Sequence, residues 1–276
     1  MYTTLHNIFA DQTGGEVFTC FSPWHFFYVF LVIATVTLTL LWTRGRDQAS
    51  KDKALKLFIS IAFGLYMLDF FLMPFAYGRI DVDKLPFHSC TSMSIMCFLS
   101  RNCKSLKKFR LNFALLGLLS NLAYLCYPAG VAWYEIHPLS YRAIQTLLFH
   151  SAMVIYCILT LLIDEEKLSF KHWYRDLAIL CTLTVWALIG NTLYSGTLES
   201  VNYSENFNWF FVKQDPFDAL PADIAPYIAP WLNIIAFFAA EMLIRWVFVI
   251  VRKKSAQKKA ETENATIAEP AVEELV

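Results

Sequence analysis

Long apolar segments alternate with short polar ones along this chain. Seven of them approach the length of a helix that crosses a bilayer, which needs roughly 20 mostly apolar residues. The predicted spans are Trp24–Trp42, Ala54–Tyr77, Pro86–Ser100, Leu111–Tyr134, Tyr141–Ile163, Trp173–Tyr194 and Pro226–Val251. Within the fourth, Pro128 is expected to end the helix. The pattern predicts an all-α, polytopic membrane protein with seven transmembrane helices.

Composition supports this class and excludes two others. Hydrophobic residues make up 57% of the 276 residues and charged residues 17%, whereas soluble domains average about 45–50% and 25%. A soluble globular domain and a disordered chain are therefore excluded. The 23 Lys and Arg residues equal the 23 Asp and Glu residues, so the excess basic charge typical of nucleic-acid binding is absent.

The basic residues predict the orientation, because cytoplasmic loops of membrane proteins carry an excess of Lys and Arg. Eighteen of them fall on one side of the predicted spans and four on the other. The amino terminus is therefore expected outside and the carboxyl terminus in the cytoplasm, as in a multi-pass protein of the cell membrane. Residues 1–251 would form a single membrane domain and residues 252–276 a disordered cytoplasmic tail. The aromatic and acidic loop 195–224 would cover the outer mouth or lie among the lipid headgroups.

Polar side chains inside the predicted spans are the main functional signal, because such groups usually face a cavity or a partner. Counted from the helix ends, most of them lie in the outer half of the bilayer, and we expect them to line one pocket there. This outer group comprises His25, Asp69, His88, Cys90, Gln145, His150 and Asn191. Glu241 and Arg245 are spaced i, i+4 on the last span and are expected to pair with each other.

The segment Leu85–Ser92 contains the strongest chemical candidate. A helix N-terminus stabilises a thiolate, so Cys90 could act as a nucleophile with His150 as its base. In the alternative interpretation Cys90 is a small buried residue and His88 bonds a neighbouring helix. His88 and Cys90 would lie about 200° apart on a regular helix, so only one of them could face a given point.

One observation argues against the pairing of Cys90 with His150, namely their different depths in the membrane. Counted from the starts of their spans, the two side chains differ by about 7–8 Å along the membrane normal. His88 and His25 lie nearer in depth to Cys90 and are the reserve bases. Neither a metal-binding nor a nucleotide-binding motif is present, so no cofactor is predicted. The seven Cys residues show no spacing typical of a disulfide framework or a zinc site.

Four segments in order resemble the bacterial YwaF family of integral membrane proteins, which is similar to the eukaryotic transmembrane protein 164 family. The segments are Phe21–His25, Leu85–Cys90, Tyr141–His150 and Asn206–Val212. The resemblance covers about residues 15–250. It implies a cysteine-dependent phospholipid acyltransferase in which Cys90 is the nucleophile and His150 its partner. Membrane lipids would be the substrates, and the predicted contacts are His25, Asp69, Gln145, Asn191 and Asn206.

Three functions stay open from the sequence. A membrane enzyme could carry an acyl chain on Cys90. A transporter or receptor-like binder could use the same outer cavity without covalent chemistry. A structural or assembly protein could use its polar side chains only to join helices.

Overall fold

Seven α-helices of at least 14 residues form most of the chain in the computed structural model, which describes residues 16–77, 84–132, 135–194, 208–213 and 219–268. They are α1 (Pro23–Thr43), α2 (Gln48–Tyr77), α3 (Ser89–Asn102), α4 (Arg110–Cys126), α5 (Tyr141–Ile163), α6 (Trp173–Leu193) and α7 (Ala225–Ala268). No β-strand occurs within these ranges. The predicted all-α class is therefore confirmed.

Six of the described helices are long and apolar enough to cross a membrane. The exception is α3, which has 14 residues and begins at Ser89 instead of the predicted Pro86. The residues before it form a turn in which the Phe87 N–H donates to the Leu85 carbonyl at 2.8 Å. The chain therefore enters α3 through a bend and not through an earlier helical turn.

Other helix boundaries follow from local chemistry. Ser22 and Ser140 cap α1 and α5, since their hydroxyl oxygens accept from the backbone N–H three residues later. The helix α4 ends at Cys126, two residues before Pro128, as expected from the sequence, and a single helical turn, Ala129–Ala132, follows.

The helix α7 continues well beyond the predicted end of its span at Val251. It runs to Ala268, so residues 252–268 are helical where the sequence analysis expected disorder. This segment is rich in Lys and Ala and contains neither Gly nor Pro. Such residues favour continuation of a helix that has already formed.

The helices α2 to α5 form a four-helix bundle. The helix α5 packs against α2 and α4, and α3 packs against the same two helices, so α3 and α5 lie diagonally across the core. The helix α1 packs on α5, while α6 and α7 pack together beside α4. We use "predicted outer face" for the end of the bundle where α3 and α5 begin, and "predicted cytoplasmic face" for the other end.

A buried ionic cluster joins three helices of the bundle near the predicted cytoplasmic face. Asp164, which caps the C-terminus of α5, accepts a hydrogen bond from Arg110 at the start of α4. Its other oxygen lies 2.8 Å from Nη1 of Arg101 on α3. All three side chains are at most 5% exposed. The cluster fixes the ends of α3, α4 and α5 against one another.

A second buried ion pair joins α6 to α7 and corrects the predicted pairing of Glu241 with Arg245. The guanidinium of Arg245 donates to Asp176 on α6 and to the Ser169 carbonyl. Asp176 also accepts from Asn112 on α4. Glu241 is fully buried, and neither of its carboxylate oxygens has a hydrogen-bond partner among the described residues. The Arg245 side chain therefore forms its ion pair with Asp176 on the neighbouring helix, and not with Glu241, which lies one turn away on the same helix.

Candidate functional site

His150 lies in the core of the bundle with one ring nitrogen fixed by a neighbouring helix. Its Nδ1 is 2.8 Å from Oδ1 of Asn121 on α4. The Asn121 amide nitrogen donates to the Gly117 carbonyl at 2.8 Å, which assigns Oδ1 as the acceptor that faces the ring. The proton of a neutral His150 therefore resides on Nδ1, and Nε2 carries the lone pair of a base.

The ring of His150 is also held by aromatic contacts. It stacks on Tyr124 with a centroid distance of 3.9 Å and an interplanar angle of 13°. Phe149 contacts it edge-on at 5.0 Å. The side chain is 4% exposed. Because Asn121 bonds Nδ1 and Tyr124 covers one face of the ring, the imidazole has a fixed orientation. Its low exposure means that the site excludes bulk water.

The depth of Cys90 follows from a contact deeper in the bundle. The thiols of Cys97 on α3 and Cys157 on α5 both lie beside Gly117 on α4, where a Cβ atom would be 3.6 Å from the first and 3.1 Å from the second. The two helices run in the same direction. Cys90 and His150 each precede that contact by seven residues, which is two helical turns and about 10.5 Å. The same step along both helices brings Cys90 and His150 to one level on the core-facing side. The depth difference counted from the sequence was measured from the helix starts. Counting from this interhelical contact instead gives the two residues a similar depth.

Four further polar groups surround this level of the bundle. Asp69 on α2 pairs with Lys84 at 2.8 Å, and the hydroxyl of Tyr66 donates to the Lys84 carbonyl at 2.9 Å. His88 follows Lys84 on the turn that leads into α3, and the Tyr66 ring lies 6.3 Å from the ring of Phe149, the residue before His150. Cys90 is partly buried against the core. Sequence analysis overlooked Tyr66 and Lys84, as well as Asn121 and Tyr124.

The turn that leads into α3 resolves the predicted conflict between His88 and Cys90. His88 is the N-cap residue, with an extended backbone (φ −73°, ψ 144°), so the two residues are not related by a helical rotation. The Pro86 carbonyl accepts from the Trp186 indole N–H at 2.7 Å and from the Ser92 hydroxyl at 2.6 Å. This turn fixes where α3 begins and hence where Cys90 lies.

Asn191 anchors part of the predicted outer loop on this turn. Its side-chain amide donates to the Trp209 carbonyl at 3.0 Å and accepts from the Trp209 N–H at 3.1 Å. Asn233 on α7 donates to the carbonyls of Phe210 and Phe211. Trp209 is 1% exposed and its ring contacts Phe87 at 4.9 Å. Asn191 thus positions the loop and the turn before α3.

The other residues predicted to contact the substrate are His25, Gln145 and Asn206, and the two that the structure describes bond to neighbouring helices or turns. His25 accepts from the Phe21 N–H at Nδ1 and lies 2.7 Å from the Leu125 carbonyl at Nε2. Its Nδ1 therefore holds the residues before α1, and its Nε2 joins α1 to the end of α4. Gln145 donates to the Leu65 carbonyl on α2 at 3.2 Å. Asn206 lies outside the described residues. Within the described ranges no group of three or more His, Cys, Asp or Glu residues could hold a metal ion.

Gly190 on α6 provides a direct test of the turn before α3. A Cβ atom at this position would lie 2.4 Å from the Phe87 ring, and that ring is held between Trp186 and Trp209. We expect Gly190→Ala to displace Phe87 and to lower the free energy of unfolding by about 1–3 kcal/mol, as overpacking does. Thermal unfolding in detergent measures the effect.

Gly64 on α2 supplies the matched control, since a Cβ atom there would meet nothing within 4 Å. Gly64→Ala should leave the melting temperature unchanged or slightly raised. Equal melting temperatures for Gly190→Ala and Gly64→Ala would contradict the packing described for Phe87.

The described helices define a multi-pass α-helical membrane protein with a buried polar site in its four-helix bundle. The chain belongs to the TMEM164 family, whose model matches residues 20–250. No curated protein and no solved structure matches it significantly.

Proposed function

We propose that this protein transfers acyl chains between phospholipids of the cell membrane through a thioester on Cys90, with His150 as the general base. The observation that carries the proposal is the fixed imidazole of His150 at the level of Cys90. Asn121 holds the tautomer whose Nε2 can accept a proton. A thiol is a weak nucleophile until a base or a positive field produces the thiolate.

The start of α3 favours the same chemistry. Cys90 lies in the first turn of a helix, where the backbone dipole stabilises negative charge. The backbone N–H groups of this first turn would stabilise the oxyanion that forms when a thiolate attacks an ester carbonyl.

The proposed reaction has two half-reactions. In the first, His150 accepts the thiol proton, the Cys90 sulfur bonds to the carbonyl carbon of the donor ester, and the bond from that carbon to the glycerol oxygen breaks. His150 returns the proton to that oxygen, which releases a lysophospholipid. In the second, the hydroxyl of a lysophospholipid acceptor gives its proton to His150 and attacks the thioester, which forms the new ester and restores the thiol.

Acyl exchange in proteoliposomes tests this proposal. A donor phospholipid with an alkyne-tagged acyl chain is mixed with a lysophospholipid, and the tagged product is measured. The wild-type protein should form the product and Cys90→Ala should not, because the alanine has no nucleophile. Cys126→Ala is the matched control, since this thiol is exposed at the same predicted outer face and should be dispensable.

Two outcomes would overturn the proposal. Exchange that survives in a folded Cys90→Ala protein would leave Cys90 as a packing residue. The wild-type protein could also form no tagged product with any donor headgroup or chain length. That result would favour a binder or transporter that uses the polar site without covalent chemistry.

A further inference from the structure

A polar cavity of about 270 Å³ lies at the predicted cytoplasmic face, at the opposite end of the molecule from Cys90. Its charged lining is mostly basic. Lys108, Lys167 and Arg175 line it together with the single acid Glu166, and none of the three basic residues forms an ion pair among the described residues. The cavity therefore carries an uncompensated positive charge.

The floor of this cavity is built from buried polar groups. Arg245 lines it and is 1% exposed. One side of its guanidinium pairs with Asp176, whereas its Nε has no hydrogen-bond partner among the described residues. The helix α6 also begins here, and its N-cap residue His172 makes no side-chain cap hydrogen bond. A helix N-terminus and a buried guanidinium both favour an anion.

An apolar cavity of about 530 Å³ adjoins the basic one. It lies between α3 and α6 and extends from Phe109 and Arg175 to Trp186 and Pro86. Arg175 lines both cavities, and its guanidinium lies 5.6 Å from the Phe109 ring centroid. From Arg175 to Trp186 the groove follows α6 for eleven residues, about 16 Å. A charged pocket thus continues into a long apolar groove.

We infer that these two cavities form a binding site for an anionic phospholipid of the cytoplasmic leaflet. The phosphate lies among Lys108, Lys167 and Arg175, and one acyl chain lies in the groove between α3 and α6. Anionic lipids are concentrated in the cytoplasmic leaflet, and basic pockets between helices on that side bind their headgroups. The inference goes beyond the proposed function, because the phosphate would lie at the opposite end of the molecule from Cys90 and its binding needs no chemistry.

Binding of lipids to the purified full-length protein tests the inference, with native mass spectrometry as the readout. Phosphatidylglycerol should bind more tightly than phosphatidylcholine with the same chains. In Lys108→Gln/Lys167→Gln the affinity for phosphatidylglycerol should fall about fivefold for each charge removed, the effect of roughly 1 kcal/mol per basic residue. Lys104→Gln/Lys253→Gln removes two exposed lysines near the same predicted face and should leave the affinity unchanged.

The groove is tested separately from the charge. Ala178 lines the groove but not the basic cavity, so Ala178→Phe should weaken phosphatidylglycerol binding with the lysines intact. Inorganic phosphate should raise the melting temperature less than phosphatidylglycerol does. Equal binding of the two lipids, or stabilisation by phosphate alone with no effect of Ala178→Phe, would overturn the inference. None of these variants alters Cys90 or His150, so acyl exchange can fail or succeed independently of this result.

Discussion

Replacing Asp164 with Asn should destabilise the protein more than any other single change in charge described above. Asp164 is the buried carboxylate that contacts both Arg101 and Arg110. Removing one member of a buried ionic cluster leaves an uncompensated charge and costs about 3–5 kcal/mol. Asp52 still contacts Arg101 at 3.1 Å, so the loss falls mainly on Arg110. Thermal unfolding in detergent should show a much lower melting temperature, with less folded protein recovered from membranes.

The neighbouring residue supplies the control for this prediction. Glu165 pairs with Lys107 at 2.6 Å, and both side chains are about half exposed. Its carboxylate is 3.7 Å from Arg110, much farther than that of Asp164. The hydrogen bond from Lys107 lowers the pKa of Glu165, and solvent screens the pair, so Glu165→Gln should change the melting temperature little. If Asp164→Asn and Glu165→Gln unfolded at the same temperature, the buried cluster would not hold the ends of α3, α4 and α5 together.

Replacing His150 with Gln should have the largest effect on acyl exchange apart from the loss of Cys90. A positioned general base contributes about 10²–10⁴-fold to a rate, and Gln cannot accept the thiol proton. Its amide nitrogen can still donate to Asn121, so the fold should be kept. The measurement is the rate of tagged-product formation at saturating donor lipid, with the melting temperature recorded for the same preparation.

Two other histidines separate chemistry from structure. His25→Gln should lower the melting temperature, because both ring nitrogens of His25 are bonded to backbone groups, but it should leave the exchange rate of the folded fraction unchanged. His137→Gln alters a side chain whose one hydrogen bond among the described residues is accepted from the nearby Leu139 N–H at 3.1 Å, and it should change neither. An exchange rate that fell as far in His25→Gln as in His150→Gln would reassign the base to His25.

The sequence predicted most of the helices because their limits are set locally. Residues Tyr141–Ile163 contain only one charged residue, and a serine cap precedes them, so the predicted and observed bounds of α5 agree. The start of α3 could not be predicted in the same way. Pro86 suits the first turn of a helix, but its carbonyl is taken by Trp186, which lies 100 residues further along the chain. A long-range contact decided that boundary.

The site was predicted only as a set of polar residues. The sequence identified His25 and His150 as histidines inside the predicted spans. It could not show that His25 bonds the Leu125 carbonyl, because every residue has a backbone carbonyl and the sequence does not indicate which one accepts. Asn121 lies in a charge-free apolar run and was overlooked, although it fixes the tautomer of His150. The relative depth of Cys90 and His150 could be judged only from the packing of Cys97 and Cys157 beside Gly117, which is a contact between helices.

The central claim is that Cys90 carries the acyl group, and mapping the adduct tests it most directly. The protein is incubated with the alkyne-tagged donor lipid without acceptor, digested, and analysed by mass spectrometry before and after hydroxylamine, which cleaves thioesters at neutral pH. We expect one hydroxylamine-sensitive acyl adduct, on the peptide that contains Cys90, in the wild type and in Cys126→Ala but not in Cys90→Ala. An adduct confined to another residue, or an unmodified Cys90 peptide in protein that catalyses exchange, would contradict it.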